Sequence, residues 1–100
     1  MMQDNEIYKI EIYKTEIVPI TFTITDRLNE EVYPTSVVAR IYSETDTLLD
    51  LRNCSVDSNT LTMVTSGTPF DTVGHYKVAF EIFHTPYKSF YVTRIKVKDF

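Results

Sequence analysis

The sequence predicts an all-β domain, folded as a two-sheet antiparallel sandwich of about seven strands. Short runs of Thr, Val, Ile, Tyr and Phe alternate with polar residues, as in strands that bury one face. Polar, turn-forming segments separate these runs at intervals of roughly eight to twelve residues. Long windows rich in Leu, Ala and Glu, which favour helices, are missing. The 100 residues suit one domain with a single core, residues 1–100.

The clearest strand is predicted over residues 74–83, directly after a sharp turn that Gly74 permits. Large apolar residues alternate there with Lys, Ala and Glu. Because a strand turns every second side chain to the same face, we expect these four to be buried: Tyr76, Val78, Phe80 and Ile82.

Six further strands are predicted, over residues 7–13, 16–25, 36–43, 47–52, 59–65 and 90–98. Pro19 cannot donate a ladder hydrogen bond, so we expect it at an edge, a bulge or a strand start. The strand over 36–43 has apolar residues on both faces, which indicates a second covered side or a contact surface. In the strand over 47–52 we expect Leu49 and Leu51 to point inward.

The connections are predicted from turn-forming residues. Residues 26–31 and 44–46 reverse the chain, and 53–59 form a polar loop. Pro69 is compatible with a short helical turn over residues 69–72. A hairpin loop is expected over residues 84–88.

Charge and targeting signals narrow the classes of partner. The net charge of −4 disfavours general binding to a phosphate backbone, although Lys88, Arg94, Lys96 and Lys98 crowd the last strand. The acidic N-terminus lacks the basic and apolar regions of a secretory signal, and no apolar run approaches about eighteen residues. We therefore expect synthesis in a cytoplasm, no nucleic-acid partner and no membrane contact.

No pattern indicates catalysis, a metal site or a cofactor site. His75 and His84 fall at opposite ends of one predicted strand, too far apart to share a metal at about 3.3 Å per residue. Cys54 is the single cysteine, so it has no intrachain disulfide partner, and no patterned histidine activates it. Four aspartates fall in or beside turns without calcium-loop spacing: Asp46, Asp50, Asp57 and Asp71. The sequence therefore predicts a protein that is not an enzyme.

One set of side chains indicates a protein-contact surface. If the strand over 74–83 buries its even-numbered residues, four apolar or aromatic residues form an exposed patch near basic residues: Phe83, Tyr87, Phe90 and Val92. The alternative is a bulge near Thr93, which would reverse the register and bury part of this patch.

Three segments, residues 13–26, 36–42 and 74–78, resemble the immunoglobulin-like N-terminal domain of tailed-phage baseplate upper proteins. The similar features are a Pro-Ile-Thr-Phe-Thr strand that leads to an Asp turn, an alternating strand, and a Gly-x-Tyr strand near the end. The first turn differs, since the family usually has a glycine where this chain has residues 27–30. The resemblance implies an immunoglobulin-like sandwich with a structural role and no catalytic residues.

Because the baseplate proteins continue into long further regions and this chain ends at Phe100, the resemblance implies a small accessory protein of a virion. We expect a non-enzymatic capsid decoration, head-fibre, neck or baseplate adaptor protein that docks on other virion proteins, with self-association left open. The alternative is a carbohydrate-binding or adhesin-type module, in which Tyr33, Tyr42 and Tyr87 would stack on sugars. A small enzyme would need a concave pocket with converging titratable groups.

Overall fold

The computed structural model describes residues 6–25, 28 and 30–100, with side chains from residue 10 onward. Within these residues the fold is all-β and contains no helix. Eight strands follow one another along the described chain: β1 (Glu6–Tyr13), β2 (Pro19–Thr23), β3 (Ser36–Ser43), β4 (Leu48–Asn53), β5 (Ser55–Asp57), β6 (Thr60–Val64), β7 (Gly74–His84) and β8 (Tyr87–Lys98).

The strands form two packed sheets, so the predicted two-sheet sandwich is confirmed. The larger sheet has the order β1-β8-β7-β3-β4, and the smaller sheet has the order β2-β6-β5. All neighbouring strands are antiparallel except β1 and β8, which are parallel. A wholly antiparallel sandwich was therefore the wrong prediction for this pair. Parallel neighbours need a long connection, and here the rest of the domain lies between the first and the last strand.

This strand order is the one that immunoglobulin-like sandwiches have, with the first strand added beside the last. A second feature of that class is a tyrosine near the start of the penultimate strand that bonds back to the preceding connection. The hydroxyl of Tyr76 donates a hydrogen bond of 2.7 Å to the carbonyl oxygen of Thr72. The bond ties the β6–β7 connection to β7, where the chain crosses between sheets.

The core lies between the sheets and contains the inward row of β7, as predicted. Tyr76, Val78, Phe80 and Ile82 are all buried. The rings of Phe22 and Phe80 meet edge to face across the two sheets, with centroids 5.3 Å apart. The strongest alternation in the sequence therefore identified the central strand of the core.

Two predicted positions in β4 are wrong, because Leu49 and Leu51 are exposed. The register pairs buried Ala39 and Ile41 of β3 with Arg52 and Asp50, so these polar residues occupy the inner face. The irregularity in the β3–β4 register falls at Leu49, and Leu51 points outward opposite Arg40. Since β4 is the edge strand of the larger sheet, its inner face needs no apolar row.

One connection differs from the prediction. Part of the expected polar loop over 53–59 forms the short edge strand β5, which pairs Ser55 with Thr62. The polar residues of β5 satisfy their backbone groups by pairing with β6, which composition alone does not reveal. At residues 69–72 a single turn forms, as expected, closed by a hydrogen bond of 3.0 Å from Thr72 N–H to the Pro69 carbonyl oxygen.

Two other local predictions concern the start of β2 and the reversal after it. Pro19 is the first residue of β2, and β2 is an edge strand, as expected. The turn predicted over 26–31 includes residues 26, 27 and 29, which lie outside the described residues. At the two ends of this segment, Thr25 forms a β-bridge with Glu31, and Val32 N–H donates to the Ile24 carbonyl oxygen.

Candidate protein-contact surface

The outer face of the larger sheet, turned away from the smaller sheet, brings together three of the four predicted contact residues. The β7–β8 ladder pairs Phe83 with Lys88, Glu81 with Phe90, and Ala79 with Val92, so all six point outward. This register is continuous from the Gly74–Val97 pair to the His84–Tyr87 pair. The alternative of a bulge near Thr93 is therefore wrong for this ladder.

Tyr87 does not join the other three predicted residues. It is the first residue of β8 and pairs with His84, so alternation turns it to the opposite face from Phe90. Tyr87 is 68% exposed, and its ring centre lies 5.8 Å from that of His84. The predicted five-residue hairpin loop is shorter than expected, with only Thr85 and Pro86 between the paired residues. A shorter loop moves Tyr87 into the strand and fixes its direction.

The outer face continues over β3 and β4, which sequence reasoning did not include in the patch. One cross-strand row runs from Leu51 through Arg40 and Ala79 to Val92. The adjacent row places Val38 beside Glu81 and Phe90. We define the outer-face patch as the apolar members of these rows together with Phe83: Val38, Leu51, Ala79, Phe83, Phe90 and Val92. The apolar residues on both faces of β3 were the sequence signal for this extension.

Exposure within the patch is uneven. Phe90 is 40% exposed and Leu51 is 52% exposed, whereas Val38, Phe83 and Val92 are half-buried. The half-buried members are partly covered by neighbouring side chains on the same face. Phe90 and Leu51 therefore offer the largest apolar area to a partner.

A buried carboxylate holds the charged side chains of the patch in place. Glu81 is almost fully buried on the outer face and accepts hydrogen bonds from Arg40, at 3.3 Å from Nε and 3.2 Å from Nη2. Its other oxygen lies 3.2 Å from the Lys88 ammonium. That ammonium also lies 5.8 Å from the ring centres of Phe83 and Phe90. The two cations are thus positioned by one anion.

The pKa of Glu81 reflects this network. Burial raises the pKa of the carboxyl group, while hydrogen bonds and charge from Lys88 and Arg40 lower it by more, so that the net shift is downward. Glu81 is therefore ionised at neutral pH. Because its negative charge is matched by two cations, the centre of the patch has no uncompensated anion.

Ion pairs and a shallow depression border the patch at the other end of the outer face. Lys77 bonds Asp46 at 2.8 Å and lies 5.1 Å from the centre of the Tyr42 ring. The depression has a volume of about 270 Å³ and is lined by charged groups that partly pair with one another, such as Asp46 with Lys77 and, at 3.9 Å, Glu44 with His75. Ser43, which also lines the depression, shares a hydrogen bond with the Thr45 hydroxyl and accepts hydrogen bonds from the N–H groups of Thr45 and Thr47.

The histidines and the cysteine, which could serve as metal ligands or catalytic groups, lie in separate parts of the fold. His75 and His84 are at opposite ends of β7, and no cluster of three or more metal-ligating side chains occurs among the residues that the structure describes. Cys54 is half-buried, and burial raises the pKa of its thiol to about 11. The thiol is therefore protonated at neutral pH and is a poor nucleophile.

The three tyrosines of the carbohydrate alternative do not form one platform. Tyr33 precedes β3 and donates its hydroxyl hydrogen bond to Glu31, and Tyr87 lies at the same end of the sheet. Tyr42 is near the far end of β3, with the Lys77 ammonium over its ring. At most two of them could contact one sugar chain together.

Comparison with known proteins assigns the chain to no family. No protein-family model matches it, and no curated protein is similar to it at a significant level. In the described part of the chain there is no helix with the length and apolarity to cross a membrane. The class that fold and surface define is a small β-sandwich with an apolar, cation-bordered sheet face.

Proposed function

We propose that this protein is a non-enzymatic structural protein of a tailed-phage particle, and that its outer-face patch docks on another virion protein. The observation that carries the docking part is the apolar surface that crosses β4, β3, β7 and β8, with Phe90 exposed at one side and Leu51 at the other. Interface centres are typically apolar and aromatic with Arg enriched, and this face has that composition.

The charge network supports the same proposal. Arg40 and Lys88 are already oriented by Glu81, so they lose less side-chain freedom when a partner covers them. Further cations lie on the outer face at Arg94 and Lys96, which pair in register with Lys77 and His75. A partner surface with an apolar centre and an acidic border would complement this face.

The virion part of the proposal depends on the resemblance of residues 13–26, 36–42 and 74–78 to phage baseplate domains. The strand order and the Tyr76–Thr72 bond are compatible with that family's immunoglobulin-like domain. The roles that suit a domain of this size are a capsid decoration, head-fibre, neck or baseplate adaptor protein. The first test is to sequence the reading frames beside the gene, which should encode capsid or tail proteins.

The docking test measures incorporation into particles. The double variant Phe83→Ala/Phe90→Ala should reduce incorporation strongly, since losing buried interface aromatics costs on the order of 2 kcal/mol or more. The matched control is Ile17→Ala/Val64→Ala, which truncates two exposed apolar residues away from the outer face. Unchanged incorporation of the first variant, with folding intact, would rule out this surface.

Two additional measurements separate the alternatives. Tyr87→Ala alone should leave incorporation unchanged, because Tyr87 points to the opposite face. On a glycan array the isolated protein should show no binding. Binding that disappears in Tyr33→Ala/Tyr87→Ala would replace the docking proposal with the carbohydrate-binding one.

A further inference from the structure

We propose that two copies of this chain pair through the free edges of β4, joining their larger sheets into one continuous ten-stranded sheet. This proposal does not depend on the proposed function, since it concerns the isolated protein. It rests on the backbone groups that β4 leaves unpaired, on the side chains at this edge, and on the order of charges along the strand.

The free edge of β4 offers backbone donors and acceptors. Within the described part of the chain, β4 is the terminal strand of its sheet and pairs only with β3. Cys54 N–H donates to the Val37 carbonyl at 2.9 Å, so the backbone groups of Cys54 point toward β3. Because these directions alternate along an antiparallel strand, Leu51 and Asn53 direct their N–H and C=O groups away from β3. These groups are the template for one more strand.

The side chains of β4 do little to block such pairing. Leu48, Leu49 and Leu51 are all exposed, and the strand contains neither Lys nor Pro. Both edges of the smaller sheet are protected: β2 begins with Pro19, and β5 has only three residues. The irregularity at Leu49 and the inward-pointing charges of Asp50 and Arg52 reduce edge pairing, but they leave the backbone of the segment 50–53 regular. The edge that is open to pairing is therefore short.

The charges select one register for two antiparallel copies. With the two-fold axis at Leu51, Asp50 of each copy lies across from Arg52 of the other, and the two Leu51 side chains face each other. Moving the axis to Asp50 sets the two aspartates opposite one another, and moving it to Arg52 does the same with the arginines. Like charges directly opposite are destabilising in a sheet. Of these three registers, only the one centred on Leu51 is free of like-charge pairs.

This register also satisfies the backbone. With the axis at Leu51, the two copies of that residue exchange N–H and C=O bonds, because both groups point to the free edge. The axis is perpendicular to the sheet, so the outer faces of the two copies lie on the same side. Two outer-face patches would then be presented together to one surface, which increases binding through avidity.

The expected dimer is weak, because with the axis at Leu51 only residues 50–52 of each copy pair in the regular part of β4, and so short a ladder buries a small interface. Sedimentation equilibrium of the purified protein should show a monomer–dimer equilibrium that shifts with protein concentration. Leu51→Lys should give only monomer, and so should Leu51→Glu, since each places like charges at the axis. Circular dichroism should show that both variants remain folded. Val64→Lys, at a 44% exposed strand position of the smaller sheet, should dimerise as the wild type does.

The decisive experiment mixes the two charge variants. Because the axis pairs residue 51 with itself, an equimolar mixture of Leu51→Lys and Leu51→Glu should restore a dimer that neither variant forms alone. The proposal is overturned if the wild type is monomeric up to its solubility limit, or if Leu51→Lys dimerises unchanged. It is also overturned if the folded variants fail to associate when mixed.

Discussion

The guanidinium carbon of Arg52 lies 5.1 Å from the centre of the Phe70 ring, on the inner face of the edge strand β4. The same guanidinium donates to the carbonyl oxygens of Val64 and Thr68, at 2.9 and 2.6 Å, and to Asp50 at 2.8 Å. Arg52 therefore connects the edge of the larger sheet to the end of β6 and to the β6–β7 connection. A charged side chain covers the core at a place where apolar pattern alone predicted leucines.

Arg52→Ala should lower the free energy of unfolding by about 2–3 kcal/mol, because charged hydrogen bonds to two carbonyl groups are lost together with the cover over Phe70. Denaturant unfolding measures the change. Asp50→Asn is the matched control and should cost no more than about 1 kcal/mol, since it removes only a partly exposed ion pair. Equal losses in the two variants would contradict the role assigned to the carbonyl bonds.

Tyr76→Phe should destabilise the fold by about 1 kcal/mol, the usual net value of a buried hydrogen bond. The substitution removes only the hydroxyl that bonds Thr72 and leaves the ring, which packs edge to face against Phe70 with centroids 5.8 Å apart. Thermal and denaturant unfolding both report the change. Tyr33→Phe, at an exposed position, should leave stability within about 0.5 kcal/mol of the wild type. A neutral Tyr76→Phe variant would show that this bond contributes little.

Protonation of Glu81 in acid should lower the free energy of unfolding. Its folded-state pKa is below the unfolded value, because hydrogen bonds from Lys88 and Arg40 outweigh the opposing effect of burial. Its ionised form therefore stabilises the fold above the unfolded pKa of about 4.3, and this contribution is lost as the pH falls through the lower folded value.

The measurement is the free energy of unfolding between neutral pH and pH 2, for the wild type and for Glu81→Gln. The variant should show a shallower decrease in acid. The decrease in the free energy of unfolding that is due to Asp46 and Asp50 should remain in the variant. Hydrogen bonds from Lys77 and Arg52, respectively, lower the pKa values of these two carboxyl groups. Parallel curves for the two proteins would mean that Glu81 titrates alike in the folded and unfolded states.

Leu49→Ala should change stability by no more than about 0.5 kcal/mol, because the side chain is 42% exposed at an irregular position of β4. Leu61→Ala in β6 should cost about 2–5 kcal/mol, since Leu61 is fully buried and its loss leaves a cavity. Unfolding at low protein concentration, where pairing between copies does not contribute, gives both values. A large loss for Leu49→Ala would favour the inward position that the sequence predicted.

Most of the fold could be read from alternation. The even-numbered residues of β7 and of β2 are apolar at every second position, and this alternation places each row on the buried face of its strand. Pro19 was expected at an edge, a bulge or a strand start for an equally local reason, its missing N–H. The prediction of the inward residues of β4 was wrong because Leu49 and Leu51 alternate like a buried row. The inner-face contacts of Arg52 depend on β6 and the β6–β7 connection, which are distant in sequence.

The candidate site was only partly predictable. Phe83, Phe90 and Val92 follow from strand parity within one hairpin, so the sequence placed them on one face. The face to which Tyr87 points depends on the length of the hairpin loop, because one more or fewer loop residue reverses the direction of its side chain. Val38 and Leu51 join the patch through β3–β7 and β3–β4 pairing, which links residues far apart in sequence.

By itself, the sequence determined that the chain is all-β and which residues of β2 and β7 face the core, because each property depends on neighbours two residues away. The tertiary structure alone decided which strands are edges and which face of the larger sheet stays uncovered. It also decided that Glu81 pairs with both Arg40 and Lys88. These features depend on the pairing order of strands that are distant in the chain, and local side-chain patterns carry no information about that order.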